Sequence, residues 1–365
     1  MQYNTNVNSS NLTKKKKQVV VGLSGGVDSA VTAHLLLQQG FEVIGVALSL
    51  WKVSSPYPEE DSSAQARDVA EALDIPLHVL DVQERFYQQV VEPFVDAYAR
   101  GQTPNPCVIC NPTFKFARLL EIADAVKAHW IATGHYARVV HSPGGPSRLL
   151  RARYLEKDQS YALYRLNQRH LKRLLLPLGE VESKAFVRQI AKQQGLPGMA
   201  QRDSQDLCFM RGGDYRELLG ALRPAMMRPG PIYNEAGEVL GEHQGLPRYT
   251  IGQRGGLGIA AKEKLYVLRL VPQTNALIVG PKSSLARRMC TITTLSFVAG
   301  SPPASTFSAS GRIRYRMPST PVRLQILDDD CADVQFEVPQ FGIAPGQSLV
   351  LYQEDSVIGG GVISD

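Results

Sequence analysis

Residues 22–29 read GLSGGVDS, and this stretch decides the fold. It follows the apolar run QVVV and precedes AVTAHLLLQQG, whose apolar residues recur at helical spacing. The sequence therefore predicts a strand, a glycine turn and a helix. The backbone N–H groups of Gly25 and Gly26, the hydroxyls of Ser24 and Ser29 and the helix N-terminus together favour an anion. The alternative is a glycine turn that only lets the strand and helix pack closely.

Strands and helices alternate through the first half of the chain. FEVIGVALSLW and LHVLDV have the pattern of strands, AQARDVAEALDIP is helical, and FKFARLLEIADAVKAHW is a helix that leads into the strand WIATGHYARVV. This order predicts a mostly parallel sheet with helices on both faces. Ligands of such sheets bind at the carboxyl ends of strands, and both GLSGGVDS and ATGHYARV fall at such ends.

The pattern changes near residue 212, where a helical pattern that starts at SKAFVRQ ends. In the Gly- and Pro-rich stretch that follows, KLYVLRLVPQTNALIVG predicts two strands joined by a turn. Beyond about residue 285, GRIRYRM, TPVRLQIL and SLVLYQ indicate the short strands of a small antiparallel barrel or sandwich. We therefore predict a disordered tail over 1–17, an α/β domain over 18–212, a small central domain over 213–285 and a C-terminal antiparallel β-barrel over 286–365.

Composition limits the class of partner and the compartment. The 365 residues contain 40 Lys plus Arg against 34 Asp plus Glu, a formal charge of +6 that suits a polyanionic partner such as nucleic acid. No apolar run approaches the roughly 18 residues that span a bilayer, and the first residues lack the apolar core of a secretion signal. Five cysteines, an odd number, do not suggest a disulfide framework. We therefore expect a cytoplasmic protein without a membrane partner.

The glycine loop lacks the Lys-Ser or Lys-Thr ending of the kinase-type phosphate loop. Asp28 lies within it and would repel a phosphate unless a cation lay between them, so we expect Mg²⁺ as a bridge. SGGVDS resembles the signature of the PP-loop ATP pyrophosphatases. This resemblance implies that the loop binds the pyrophosphate of ATP and that AMP is transferred to an oxygen of the substrate. It leaves the acceptor open.

TPNPCVICNPTFKF, residues 103–116, contains a CxxC pair. Zinc would need two more ligands at similar spacing, whereas the other three cysteines stand singly, so we assign no metal-ligating residues. A redox pair or two small buried residues are further alternatives. A proline-braced loop before a helix start at PTFKF would bring Cys110 near a helix N-terminus and Lys115, both of which favour a thiolate. Cys208, in DSQDLCFM, lies in another loop that can meet Cys110 in space.

Motifs spread over nearly the whole chain resemble those of the bacterial tRNA-specific 2-thiouridylase (MnmA) family. In chain order they are GLSGGVDS, TPNPCVICN, ATGHYARV, KDQSYALYRL, DSQDLCF, GLPRYTIGQRGGLGI and GRIRYRM. The resemblance implies ATP-dependent sulfur insertion at C2 of the wobble uridine, position 34, in tRNAs for Lys, Glu and Gln. Cys110 matches the family's nucleophile and Cys208 its persulfide-carrying cysteine. The implied partners are the tRNA anticodon stem-loop and a persulfide donor, either a cysteine desulfurase or a sulfur-relay protein.

The resemblance also assigns binding residues. For ATP they are Gly22, Leu23, Ser24, Gly25, Gly26, Val27, Asp28, Ser29, Leu48 and Gly134. For tRNA they are Asn105, Pro106, Cys107, His135, Lys157, Asp158, Gln159, Arg314, Tyr315 and Gln347. KDQS as a solvated turn and RIRYR as one face of an exposed strand are the ordinary alternatives. Basic residues interleaved with an aromatic ring suit phosphate contact and stacking on a flipped base.

Three parts of the sequence depart from the usual form of the family. Cys107 stands where Asp is common, which creates a rival thiol three residues from Cys110. The common STGICF is SQDLCF here, and Gly255 replaces a commonly basic residue.

Two other functions remain open from the sequence. One is a PP-loop enzyme that adenylates a small molecule, and the basic β-rich half of the chain argues against it. The other is a non-catalytic tRNA-binding protein, which the intact Ser24, Asp28, Cys110 and Cys208 disfavour.

Overall fold

The computed structural model describes residues 17–51, 63–198, 207–210, 214–261 and 263–364. The predicted tail over 1–17 lies outside these ranges except for Lys17, and so does most of the predicted helical stretch beyond residue 198. Within the described residues, no helix is long and apolar enough to cross a membrane.

The strands follow one another along the whole chain. They are β1 (Gln18–Gly22), β2 (Glu42–Ser49), β3 (Leu77–Asp81), β4 (Trp130–Ala132), β5 (Ala137–Val140), β6 (Arg148–Arg151), β7 (Leu174–Leu175), β8 (Gly230–Tyr233), β9 (Val239–His243), β10 (Tyr266–Val271), β11 (Ala276–Gly280), β12 (Ala286–Phe297), β13 (Thr306–Arg312), β14 (Thr320–Ile326), β15 (Cys331–Phe341), β16 (Ser348–Gln353) and β17 (Ser356–Ile363).

The α-helices concentrate in the first 222 residues. They are α1 (Val27–Gln38), α2 (Ala64–Ala72), α3 (Gln83–Phe86), α4 (Glu92–Ala99), α5 (Pro106–Cys110), α6 (Phe116–Ala125), α7 (Ser160–Leu163), α8 (Gln168–Leu171), α9 (Lys184–Gln193) and α10 (Tyr215–Leu222). π-helical segments, Tyr87–Val91 and Asn111–Lys115, connect α3 to α4 and α5 to α6.

The first sheet is parallel and has the order β3-β2-β1-β4-β7. Alternate residues of β1 face opposite sides: Val19 and Val21 pack in the core that contains α1, whereas Val20 packs in the core that contains α6. Both faces are therefore covered, as the continuous apolar strands predict. The chain direction across the sheet switches between β1 and β4, so the loops after these two strands meet where such folds bind ligands.

The prediction of one strand over WIATGHYARVV is wrong. β4 ends at Ala132, and β5 belongs to a different sheet. The chain turns away because Gly134 packs on the backbone of the glycine loop, where a Cβ would lie 2.9 Å from the carbonyl carbon of Asp28. The hairpin of β5 and β6 then joins the C-terminal sheet through β17.

The predicted helix beyond SKAFVRQ is shorter than expected. α9 ends at Gln193 because the N–H groups of Gly195 and Leu196 close back on the carbonyls of Lys192 and Ala191. This is the Schellman arrangement, and Gly195 supplies the left-handed conformation it needs, with φ of +61°.

The second half of the chain forms two β units. β8 to β11 make a small sheet of order β10-β11-β8-β9, in which β10 and β11 are the two strands expected from KLYVLRLVPQTNALIVG. The last six strands, β12 to β17, form an antiparallel barrel that closes where β12 pairs with β17. The predicted fold class, a PP-loop-like parallel α/β domain followed by a central unit and a C-terminal barrel, is confirmed.

Candidate active site

The glycine loop connects β1 to α1 as predicted. Gly25 has φ of +79°, and a Cβ there would lie 2.4 Å from Cβ of Gln65, so only glycine fits without movement. Ser29 donates its hydroxyl to the carbonyl of Gly26 at 2.9 Å and lies 3.3 Å from the hydroxyl of Ser24. We call residues 24–29 the nucleotide cradle. Its exposed Ser24 and the first N–H groups of α1 can hold phosphate oxygens.

Asp28 has two partners within the described residues. Nζ of Lys184 lies 2.5 Å from its Oδ1, and the hydroxyl of Tyr136 donates to the same oxygen at 2.6 Å. The sequence prediction placed a magnesium ion beside this carboxylate. The structure shows a lysine ammonium on its Oδ1, brought by the first residue of α9, and the magnesium ion stays a prediction.

The segment after β4 forms the facing side of the cradle. Gly134 packs directly on Asp28 and Ser29, as expected of a strand-end glycine at this site. His135 follows, with Nδ1 2.8 Å from the hydroxyl of Thr133. Burial lowers the pKa of His135 to about 3 and Lys115 lowers it as well, so the imidazole is neutral near pH 7. Leu48, at the end of β2, packs partly buried against two core clusters.

The predicted helix start at PTFKF is wrong, because the helix begins earlier. Asn105 caps α5 by accepting from the N–H of Cys107 at 3.2 Å, and Pro106 occupies the first helical position. α5, the π-helical segment and α6 then run on without a break. Cys110 is therefore the fifth residue of this helical run, and Cys107 is the residue closer to the N-terminus.

Lys115 favours the Cys110 thiolate as expected, but burial outweighs its effect. Cys110 is 5% exposed, and burial raises its pKa to about 12. The ammonium of Lys115 and a hydrogen bond from its backbone N–H lower this pKa but do not overcome burial. Near pH 7 the resting side chain is therefore a thiol.

Cys208 lies close enough to Cys110 for a charge on it to raise the pKa of Cys110, although 98 positions separate the two residues in the sequence. Its neighbour Phe209 is fully buried and packs edge to face on Phe86 and Phe94, with ring centroids 5.9 and 5.5 Å apart. Cys110 and Phe209 belong to one core cluster. Cys208 itself is exposed, and a charge on it raises the pKa of Cys110. The structure thus brings the two predicted cysteines together, one buried and one open to solvent.

Cys107 lies beside the same pair. Loss of hydration raises its pKa although the residue is exposed, Lys115 lowers this pKa, and Cys208 raises it. Among the described residues, none of the five cysteines forms a disulfide. Three thiols and one ammonium therefore share this region, which we call the thiol cluster (Cys107, Cys110, Cys208 and Lys115).

The predicted tRNA residues of the barrel contact the loop that leads into α5 and the central unit. Gln347 donates from Nε2 to the carbonyl of Thr103 at 2.6 Å. Arg314 lies in a turn after β13, not on an exposed strand face, and its Nη2 donates to the carbonyls of Ile251 and Gly342 at 2.7 Å. Tyr315 is half-buried, and a charge on Cys107 raises its pKa after the larger effects of burial and Asp158.

The KDQS segment is not a simple solvated turn. Asp158 is buried and accepts from the N–H of Ala152 and from the N–H and hydroxyl of Ser160, at 3.0, 3.2 and 2.9 Å. Gln159 exchanges hydrogen bonds with the backbone of Tyr136, so this segment braces the side of the cradle. Lys157 is partly exposed at the end of a short 3₁₀ turn.

Sequence reasoning missed Lys184 and Tyr136. Tyr136 lies two residues beyond Gly134, within the ATGHYARV motif, so its position near the cradle carried a signal. For Lys184 the signal was weak: a lysine in the first turn of a helix opposes the helix dipole. This unfavourable position could have indicated that Lys184 has a role outside its own helix.

Family models match three consecutive parts of the chain. Residues 17–212 match the tRNA methyl transferase HUP domain, residues 219–281 the tRNA methyl transferase PRC-barrel domain and residues 287–363 the aminomethyltransferase beta-barrel domain.

Individual proteins are similar over nearly the full length. A tRNA-specific 2-thiouridylase MnmA of Syntrophotalea carbinolica is 45% identical over 97% of this chain and 100% of its own length. One of Roseiflexus castenholzii is 43% identical over 95% of this chain and 99% of its own. A solved 4-thiouridine synthetase in complex with RNA and bound ATP is 19% identical, with a TM-score of 0.35 over 57% of this chain and 50% of that one.

Proposed function

The chain belongs to the tRNA-specific 2-thiouridylase family, and from that premise we propose that it replaces the C2 oxygen of the wobble uridine, position 34, by sulfur in tRNAs for Lys, Glu and Gln. The observation that carries the proposal is that exposed Cys208, in a turn, lies near buried Cys110 on α5. Lys115, which lowers the pKa of Cys110, also lowers that of His135 beside the cradle. Adenylation of a small molecule does not by itself involve a thiol.

The first step activates the base. The C2 oxygen of uracil is a very poor leaving group, whereas AMP leaves readily. The uracil oxygen attacks the α-phosphorus of ATP, and pyrophosphate departs. The N–H groups of Gly25 and Gly26 and the hydroxyl of Ser24 would bind the phosphates, and Asp28 would be the carboxylate nearest to the accompanying Mg²⁺.

The second step delivers sulfur. A donor leaves a persulfide on Cys208, whose exposure suits contact with a cysteine desulfurase or a sulfur-relay protein. In one route the terminal sulfur attacks C2 and AMP leaves, after which Cys110 attacks the Cys208 sulfur and releases thiolated tRNA. In the other route Cys110 first releases sulfide, which then attacks C2. Both routes end with a Cys110–Cys208 disulfide, which a thiol reductant of the cytoplasm reopens.

The tRNA would approach the thiol cluster with its target base flipped out, because C2 is inaccessible in a stacked anticodon. Asn105 and Pro106 begin the helix that carries Cys107 and Cys110, and a charge on Cys107 raises the pKa of Tyr315. We propose that Lys157, Arg314 and Gln347 add polar contacts to the tRNA. Asp158 and Gln159 are engaged in hydrogen bonds of the fold, so their contribution to binding would be to hold this surface in shape.

The test is mass analysis of nucleosides after the protein is incubated with tRNA, Mg-ATP and an active persulfide donor. We expect 2-thiouridine at position 34 of tRNAs for Lys, Glu and Gln, with one AMP formed per sulfur inserted. Reactions without ATP, and reactions with Cys208→Ser, serve as controls. The absence of 2-thiouridine although the donor is active would refute the proposal. AMP formation without any dependence on tRNA would instead point to a small-molecule acceptor.

A further inference from the structure

Asp28 carries a negative charge within a site that otherwise attracts anions. The N–H groups of Gly25 and Gly26 and the first turn of α1 attract a phosphate, whereas a bare carboxylate among them repels it. Phosphate binding therefore depends on what compensates this charge.

Lys184 supplies a compensating charge from α9. The residue is only 8% exposed, and its Nζ lies 2.5 Å from Oδ1 of Asp28. The hydroxyl of Tyr136 donates to the same oxygen at 2.6 Å, and Nζ lies 5.8 Å from the centre of the Tyr136 ring. Two donors, one from α9 and one from the segment between β4 and β5, thus fix one carboxylate oxygen.

The local fold does not explain a lysine at this position. Lys184 is the first residue of α9, where the helix dipole disfavours a cation, and Ser183 already caps the helix by accepting from the N–H of Phe186 at 3.2 Å. Val187 and Ala191 bury the packed face of α9. Packing of this face therefore does not require a lysine.

We propose that Lys184 is a positioning residue for the phosphates of a nucleoside triphosphate. Its ammonium holds Oδ1 of Asp28 in place and cancels its charge, so that the cradle presents a net positive field to the ligand. This inference rests on the ATP-binding part of the proposed function and not on sulfur transfer. Lys184 acts through Asp28 and takes part in no bond that forms or breaks.

Calorimetric titration of the full chain with ATP, in the absence of tRNA, tests the inference. We expect Lys184→Met to weaken ATP binding about tenfold or more, because the Mg²⁺ that accompanies ATP must then offset the charge of Asp28 alone. Lys184→Arg, which keeps the charge, should stay within about threefold of the unsubstituted chain. Lys192→Met, at an exposed position on the same helix, is the matched control and should bind ATP normally.

Two further measurements separate positioning from a structural role. Adenosine, which lacks phosphates, should bind with the same affinity to Lys184→Met and to the unsubstituted chain. In an Asp28→Asn background, where no charge remains to be cancelled, Lys184→Met should lose most of its effect. If Lys184→Met does not fold, as judged by circular dichroism, Lys184→Gln takes its place.

Three results would overturn the inference: normal ATP binding by Lys184→Met, an equal loss for ATP and adenosine, or an undiminished loss in the Asp28→Asn background. If the unsubstituted chain itself does not bind ATP, the proposed function fails. If that chain binds ATP and Lys184→Met matches it, only the role of Lys184 fails.

Discussion

Backbone atoms form most of the nucleotide cradle, whereas side chains from two distant segments form the thiol cluster. The cradle is one contiguous turn, fixed by the left-handed Gly25 and by hydrogen bonds among Ser24, Gly26 and Ser29. The thiol cluster depends on tertiary packing, since Phe209 must be buried for Cys208 to lie beside Cys110. Contacts within one turn therefore define the shape of the cradle, whereas the thiols must lose a proton or exchange a bonding partner to react.

Substitution of Cys110 should have the largest effect, and it should affect the thiol cluster but not the cradle. Under the proposed mechanism, Cys110→Ser should lower 2-thiouridine formation by about a thousandfold or more, because serine cannot attack the Cys208 sulfur. ATP binding should not change, since the cradle is formed by other residues. Cys331→Ser, on β15 of the barrel, is the control and should remain active. Nucleoside mass analysis and ATP titration on the same preparations check both expectations, and substantial 2-thiouridine from Cys110→Ser would contradict them.

A substitution in the cradle should instead weaken ATP binding. Gly25→Ala places a Cβ 2.4 Å from Cβ of Gln65, so the loop must move and ATP binding should weaken by about tenfold or more. Gly40→Ala is the matched control, because Gly40 has nearly the same φ, +80°, but open space around it. Both variants should lose about 1 kcal/mol of folding stability from the left-handed backbone, but only Gly25→Ala should lose affinity. Equal ATP affinities of the two variants would show that the close packing of Gly25 against Gln65 does not matter for ATP binding.

The cradle and the thiol cluster also differ in how far the sequence alone predicts them. The cradle and the facing Gly134 were predictable because consecutive residues encode a strand end, a turn and a helix start. The family assignment from seven motifs is also confirmed. The start of α5 was misjudged although Asn105 and Pro106 are ordinary signals of a cap and a first helical residue.

Tertiary effects account for the remaining differences. The pKa of Cys110 depends on its burial in the cluster that contains Phe114 and Phe209, and no local pattern encodes that burial. Lys184 reaches Asp28 from a helix 156 positions further along the chain. Such contacts become visible only when the chain is folded.

The thiol cluster should also respond to pH in a way that the cradle does not. Because burial raises the pKa of Cys110 to about 12, its thiolate fraction, and hence its alkylation by iodoacetamide, should rise about tenfold per pH unit between pH 7 and 10. Lys115→Met removes a group that lowers this pKa, so the pKa should rise further and alkylation at any fixed pH should slow about three- to tenfold. Peptide mass mapping measures labelling at Cys110 alone.

The control for this comparison is Lys127→Met, beyond the end of α6, which should leave labelling of Cys110 unchanged. ATP affinity should also be the same in both lysine variants. Faster labelling in Lys115→Met would show that the variant opens the buried site, and that the ammonium does not set the reactivity of Cys110.

The smallest effect is expected at Cys107, and it tests whether the thiol cluster works with two thiols or three. Cys107 is exposed at the start of α5, and its contribution to the cap comes from its backbone N–H, which serine retains. Cys107→Ser should therefore alter 2-thiouridine formation by about twofold at most, because serine keeps the cap and nearly the side-chain volume. The matched comparison is Cys110→Ser, three residues away in the same helical run. A loss with Cys107→Ser that approached that of Cys110→Ser would mean that the rival thiol takes part in resolving the persulfide.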